Sequence, residues 1–415
     1  MTNSETEVAI IGGGGAGIAA GRRLRQAGLD CLLIEARDRL GGRAWTIADA
    51  AGEALDLGCG WLHSANRNPW VAVAQEQGRT IDKTRPPWTK PSLPIRFTLE
   101  EQQEFRRDMD ALYERLEAIL AKGGDVPASA GLQPDGRWNH LLTAVGTYIS
   151  GVELDRMSGR DFINYQDSET NWSIVEGYGA TIAAAGAPLR VALGCPVRRI
   201  DHRGQRLNIE TAKGVITAAK AIVTLPTSIL AQGEGLFLPA LPDKIDAALG
   251  LPLGLADKLF IALDDAEEFE PNSRVFGHVD RTATASYQLR PFGRAMIEAY
   301  FGGDNAAALE AGGEPAFFDF AVAELSGLFG SDFARRLKPI AMHRWGADPF
   351  ARGSYSYALP GKAGCRATLA AAVDERLFFA GEACSPGDFS TAHGGWFTGV
   401  AAAEQVIAVR QSVQI

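Results

Sequence analysis

The sequence predicts an α/β fold, with a Rossmann-type nucleotide-binding domain interleaved with a second, α+β domain. Three observations predict it. A strand–glycine turn–helix–strand unit opens the 415-residue chain. A long stretch of helical character interrupts it. A strand ending in Gly-Glu and a glycine-led helix close it. A chain of this length is too long for one small core and suits two domains.

The opening unit is "EVAIIGGGGAGIAAGRRLRQAGLDCLLIEA". Val8 to Ile11 is an apolar strand, Ala16 to Ala27 an alanine-rich helix stopped by Gly28, and Cys31 to Ile34 a second strand. Gly12, Gly14 and Gly17 fit GxGxxG. The first permits the tight turn, the second lets backbone approach a pyrophosphate, and the third lets helix and strand pack closely. The helix start offers free N–H groups and a positive dipole to phosphates. Glu35, at the end of the second strand, is placed for a ribose diol and disfavours a 2′-phosphate. "RLGGR" follows, and Arg43 beyond Gly41 and Gly42 suits the same pyrophosphate, because a guanidinium matches phosphate geometry.

Residues 76–172 change character. In "TLEEQQEFRRDMDALYERLEAIL", Phe105, Met109, Leu112, Leu116 and Ile119 form one apolar stripe, and Thr98 with Glu101 makes a capping box. Short glycine-punctuated strands return from residue 173. Lys258 in "LADKLFIAL" stands near the start of a strand, and a helix is expected around 316–328. Near the end, "LFFAGE" is a strand closing on Gly381-Glu382, and Gly394-Gly395 opens a helix whose N–H groups suit an anionic ligand edge. "GSYSY", with Ser354, Tyr355, Ser356 and Tyr357, alternates with period two and reads as a strand.

Composition excludes several classes. Net charge is −9, with no run of like charge, so neither nucleic acid nor an anionic membrane is an expected partner. No apolar run has the length of a membrane span. "MTNSETEVAIIGG" lacks a basic region before its apolar stretch, so it is not expected to be a signal peptide. Five scattered cysteines without a CxxC pair point to reduced thiols and a cytoplasmic protein. No metal-ligand spacing and no GxSxG elbow occur.

The glycine fingerprint, the acid and the "RLGGR" segment together resemble the FAD-dependent amine oxidase family of monoamine, polyamine and histone-demethylating flavoenzymes. The resemblance covers essentially the whole chain outside the helical insertion. It implies the FAD fold shared with glutathione reductase: a discontinuous FAD domain of residues 1–75, 173–252 and 345–415, and a substrate domain of 76–172 and 253–344. It assigns to FAD Gly12, Gly14, Gly15, Ala16, Gly17, Glu35, Ala36, Arg37, Gly41, Gly42, Arg43, Gly60 and Trp61. From the rest of the chain it adds Val197 against the adenine, Trp345, Ser354, Gly381, Glu382, Gly395 and Trp396. Lys258 would hold a water against the flavin and assist its reoxidation. Tyr355 and Trp396 would wall the amine site, and Trp61 and His63 would line its channel.

The activity so implied is oxidation of a primary or secondary amine, polyamines included, to an imine. O2 would reoxidise FAD to give hydrogen peroxide. Ser64 stands where near relatives have glycine, and the acid some relatives carry at His63 is absent, so polyamine specificity stays open. Arg67 lies close to where amino-acid oxidases carry a carboxylate-binding arginine. An amino-acid oxidase, a desaturase-like flavoprotein with another acceptor, and an FAD-binding protein without turnover are the alternatives. Ser354 falls where monoamine oxidases carry a flavin-bonding cysteine, so non-covalent FAD is expected, with Cys365 or Cys384 the first suspects otherwise. A monomer or homodimer is expected, and Tyr357 is undecided between supporting the site and core.

Overall fold

The opening fingerprint folds as strand Ser4–Ile11, helix Gly15–Gln26 and strand Cys31–Ile34 in the computed structural model, which describes residues 4–233 and 235–413. Ser4–Ile11 pairs in parallel with Cys31–Ile34 on one side and with Gly214–Val223 on the other. Val191–Ala192 extends the sheet beyond Cys31–Ile34, and Leu377–Phe379 lies parallel on the C-terminal half of Gly214–Val223. The sheet has eight strands. Val8 to Ile11 is at most 1% exposed, because both sheet faces are covered. Segments far apart in sequence thus bring their strand ends to one edge, where such sheets bind ligands.

A second, five-stranded antiparallel sheet has the order Ser273–Phe276, Ser286–Leu289, Met296–Gly302, Ala256–Leu263 and Leu337–Met342. Its strands all lie between residues 256 and 342. Period-two alternation divides its faces. Leu259, Ile261, Ile297 and Ala299 pack with Phe317, Ala321 and Leu325 of helix Glu314–Phe329, which covers the 316–328 expectation. The opposite face carries Lys258, Phe260, Glu298 and Tyr300, with Lys258 opposite Tyr300 and Phe260 opposite Glu298. Phe260 and Met296 pack on Leu55 and Leu57, which joins this face to the first domain.

The insertion is helical, with Leu99–Leu120, Asn139–Ser150 and Gly159–Asn164. Both bonds of the Thr98–Glu101 capping box form. Leu112 and Leu116 are buried, with Phe105 and Met109 packed beside them. Tyr113 and Leu120 join that core where the stripe predicted Ile119, because the stripe drifts around the long helix. Among the described residues no helix is long and apolar enough to cross a membrane.

Two local readings are corrected. Residues 354–357 do not form a regular strand. They run beside residues 250–254 through Ser354 N to Gly254 O (2.7 Å), Gly254 N to Tyr355 O (2.9 Å) and Tyr357 N to Pro252 O (3.1 Å), with one isolated bridge, Leu253 to Ser356. Pro252 has no N–H to continue a ladder, and Gly353 turns the chain at φ 143°. The C-terminal helix begins at Ala392, before Gly394.

Candidate active site

The two glycine turns lie against each other. Gly41 N donates to Gly13 O at 2.9 Å, and Gly12 takes φ 112°. A Cβ on Gly17 would stand 1.9 Å from Gly12 O, so packing alone demands that glycine. At Gly14 the nearest atom to a Cβ would be 3.9 Å away. Protein packing does not require glycine there, so the space is open to a ligand approaching the backbone. The N–H group of Ala16 carries no partner among the described residues, and neither do those of Ala392 and His393. Gly395 would place a Cβ 3.6 Å from Ala16 N, so the two helix starts converge. Two positive helix ends and two glycine turns at one sheet edge suit the phosphates of a dinucleotide. The N–H groups of Gly394 and Gly395 are not the free ones: Thr391 Oγ1 accepts from Gly394 at 2.9 Å and Thr391 O from Gly395 at 3.1 Å.

Glu35 ends its strand 4% exposed, accepting from Gly13 N at 2.6 Å and Arg37 N at 2.8 Å. Ala36 beside it is half-buried. Arg37 pairs with Asp348, which also meets His343 Nε2 at 3.0 Å. Burial works against the charged Asp348 carboxyl, yet His343 and Arg37 together hold it well below the usual carboxylate range. Arg43 donates to Ser354 O at 2.6 Å and to Glu382 Oε1 at 3.0 Å. The other Glu382 oxygen accepts from Ser356 Oγ (2.6 Å) and Ser390 N (2.9 Å). Burial would raise this carboxyl, but Arg43, Ser356 and Arg366 outweigh it and the shift is downward. Glu382 therefore knots four segments together, and its oxygens are occupied by protein donors. Gly381 exchanges two bonds with Thr398 Oγ1. Val197 begins strand Val197–Asp201, just after Cys195 N bonds Glu35 O at 2.8 Å.

The amine-side residues come from both domains. Lys258 is 6% exposed, and its ammonium lies 3.0 Å from Glu298 Oε1. A Cβ on Gly60 would be 3.1 Å from Lys258 Nζ, so that glycine admits the lysine. Burial would lower the Lys258 ammonium, but Glu298, Tyr300 and Asp56 outweigh it and the net shift is upward. Tyr355 OH donates to Tyr148 O at 2.6 Å and lies 3.1 Å from Tyr300 OH. Trp345 is 2% exposed, with Nε1 on Leu57 O at 2.9 Å. Trp396 packs edge-on against Trp70 at 4.7 Å and makes no ring contact with Tyr355 among the described residues. Trp61 meets Trp88 at 4.5 Å. His63 Nδ1 lies 2.8 Å from Asn171 Oδ1, and burial lowers its pKa despite nearby Asp167. Ser354 Oγ is committed to Ala256, donating to its O at 2.7 Å and accepting from its N at 2.9 Å. Tyr357 belongs to the core of the helical insertion.

Several partners escaped the sequence reading. Thr224, Leu225 and Pro226 line a cavity with Arg43, Gly381 and Glu382. The apolar run ending at Val223 could have flagged them, as the next strand end at the same edge. Asp56 accepts from Tyr178 N (2.8 Å) and Gly179 N (3.0 Å) and is raised by burial. Glu298 and Tyr300 carried no local signal at all.

The glycine cradle and the mixed sheet fit a dinucleotide-binding protein. The chain matches the family model for flavin containing amine oxidoreductase over residues 16–144 and 129–407, and belongs to that family. It is 27% identical to polyamine oxidase 2 of Arabidopsis thaliana, across 97% of this chain and 88% of that one. With human lysine-specific histone demethylase 2 it shares 25% identity over 97% of this chain but 53% of the demethylase. A redesigned putrescine oxidase superposes with a TM-score of 0.80 over 98% of this chain, at 18% identity, which speaks to the fold. The family implies FAD, and the glycine cradle and paired helix starts fit such a group.

Proposed function

We propose that this protein oxidises the C–N bond of a primary or secondary amine, polyamines included, to an imine that water hydrolyses. The observation carrying this reading is the convergence of two helix starts and two glycine turns on one edge, which Arg43 ties to Ser354 O beside Tyr355. FAD, when bound, would supply the hydride acceptor, with O2 as the oxidant that restores it and hydrogen peroxide as the product. Gly14, Gly15, Ala16 and Arg43 would hold its phosphates, with Glu35 at the ribose. The Tyr355 ring, fixed through its hydroxyl, would orient the amine and attract its cation before deprotonation. Lys258 would present a positive charge in a largely buried site, where such charges act more strongly than in water.

The FAD is read as non-covalent. The Ser354 hydroxyl is spent on Ala256, and burial pushes the Cys384 thiol up to about 12, far from thiolate chemistry. Flavin released by denaturation is the expected result. The amino-acid alternative is weakened by Arg67, whose guanidinium is held by both oxygens of Asp388. Among relatives, a putrescine oxidase has been seen bound to putrescine, which makes diamines the first candidates. Anaerobic addition of mono-, di- and polyamines tests the proposal: a productive amine bleaches the oxidised flavin and air restores it with peroxide. If no amine bleaches it, the reading is wrong.

A further inference from the structure

The face of the five-stranded sheet that turns toward the first domain carries an ion pair with no counterpart in the motifs above. Lys258 and Glu298 lie 3.0 Å apart, with side chains 7% and 17% exposed. They are diagonal neighbours, since Lys258 registers with Tyr300 and Glu298 with Phe260. Both line a cleft whose other lining residues include Asp82, Asn272 and Gln288. Both side chains are thus largely buried, with the cleft as their route to solvent.

We propose that Glu298 is the positioning residue for Lys258, holding its ammonium charged and aimed through the reoxidation step. The reasoning is electrostatic. A buried lysine without a partner loses its proton readily, because desolvation disfavours the charged form. The groups facing Lys258 are Glu298 and Tyr300 on the adjacent strand, Asp56 and Cys59 from the segment that precedes Gly60, and His63. Asp56 is already occupied by Thr46, Tyr178 and Gly179. Cys59 is a neutral thiol whose pKa burial pushes up to about 12, and burial also favours neutral His63. That leaves Glu298 as the carboxylate bonded directly to the ammonium. Through the cleft the pair equilibrates with bulk protons, so its charge state is readable by pH.

This inference rests on the flavin-oxidase reading only for the presence of bound FAD, and its test needs no amine. FAD-loaded wild type, E298Q, K258M and the double variant are photoreduced without air, then mixed with O2 at a series of pH values. In E298Q the reoxidation rate is expected to fall about tenfold per pH unit above the lowered lysine pKa, while wild type stays flat over the same range. In the K258M background, E298Q is expected to add no further change. A second readout avoids turnover: the urea midpoint of the apoprotein should drop in each single variant and recover in the double, because one buried charge left alone costs more than removing both. A flat E298Q profile, or an E298Q effect that persists in K258M, overturns the proposal. Bleaching by no amine together with a pH-dependent E298Q rate would sink the amine assignment and leave this one standing.

Discussion

The proposed nucleotide end and the proposed amine end of this site are built in opposite ways. At the nucleotide end, backbone does the work: glycines, helix starts and strand ends, most from one run of about forty residues. At the amine end, side chains do it, drawn from residues 56–63, 148, 258, 298–300, 345 and 355. The difference teaches where substitutions will be felt. A backbone cradle fails when a Cβ intrudes, whereas a side-chain network fails when a partner is removed.

The sharpest break should come from two glycines of the same turn. Gly17→Ala puts a Cβ 1.9 Å from Gly12 O and is expected to cost more than about 4 kcal/mol, enough to remove soluble folded protein. Gly14→Ala, with 3.9 Å of clearance, should leave apoprotein stability within about 1 kcal/mol but strip the flavin. Urea unfolding of apoprotein and flavin absorbance per chain separate the two. Equal effects on both measures would erase the distinction between a packing glycine and a ligand glycine.

Arg366 joins the two halves and comes next in size. It meets both oxygens of Asp161 at 2.7 Å, donates to Ser356 Oγ at 2.9 Å, and lies over Phe389 at 3.8 Å. Both partners are at most 3% exposed. Arg366→Met should cost about 3–5 kcal/mol, since it strands a buried carboxylate. Thermal or urea midpoints check this, and a loss under about 1 kcal/mol would mean the halves are held elsewhere.

A pH effect of somewhat smaller size is expected from His393, which follows Ala392 at the helix start. It is 1% exposed and 3.2 Å from Asp388, and burial lowers its pKa to about 4. A group depressed on folding contributes stability that is present above its unfolded pKa, near 6.5, and lost as pH falls toward 4. That loss should reach up to about 3 kcal/mol. His393→Gln should flatten the apoprotein stability curve across that window while leaving the acid limb below it. An unchanged curve would show that His393 titrates normally.

The smallest effect is expected at Tyr300, whose hydroxyl bonds that of Tyr355. Tyr300→Phe should cost about 1 kcal/mol of stability. Its clearer signature is a raised KM for the amine with kcat little changed, because the Tyr355 ring keeps its bond to Tyr148 O. A fall in kcat alone would mean Tyr300 acts elsewhere.

Legibility followed the same division. Gly12, Gly14, Gly17, Glu35, Gly41 and Arg43 stood in a contiguous pattern whose spacing is itself the physical requirement, so the fingerprint, its flanking strands and the capping box at Thr98 were readable. Period-two alternation over residues 354–357 misled, because Pro252 across the gap cannot continue a ladder. Glu298, Tyr300 and Asp56 look like ordinary strand and loop residues until the sheet registers are known. Tyr357, with the same local signal as Tyr355, turned out to be core.

The sequence by itself determined the nucleotide-binding unit, the break into an insertion and the family, since local backbone demands leave their mark in neighbouring residues. The tertiary structure alone decided that Glu298 meets Lys258, that Tyr148 and Tyr300 fix Tyr355, and that Glu382 knots Arg43, Ser356 and Ser390 together. Apart from Ser390, a near neighbour of Glu382 in the chain, those partners are separated by tens to hundreds of residues, and only strand register and domain packing bring them within hydrogen-bond reach.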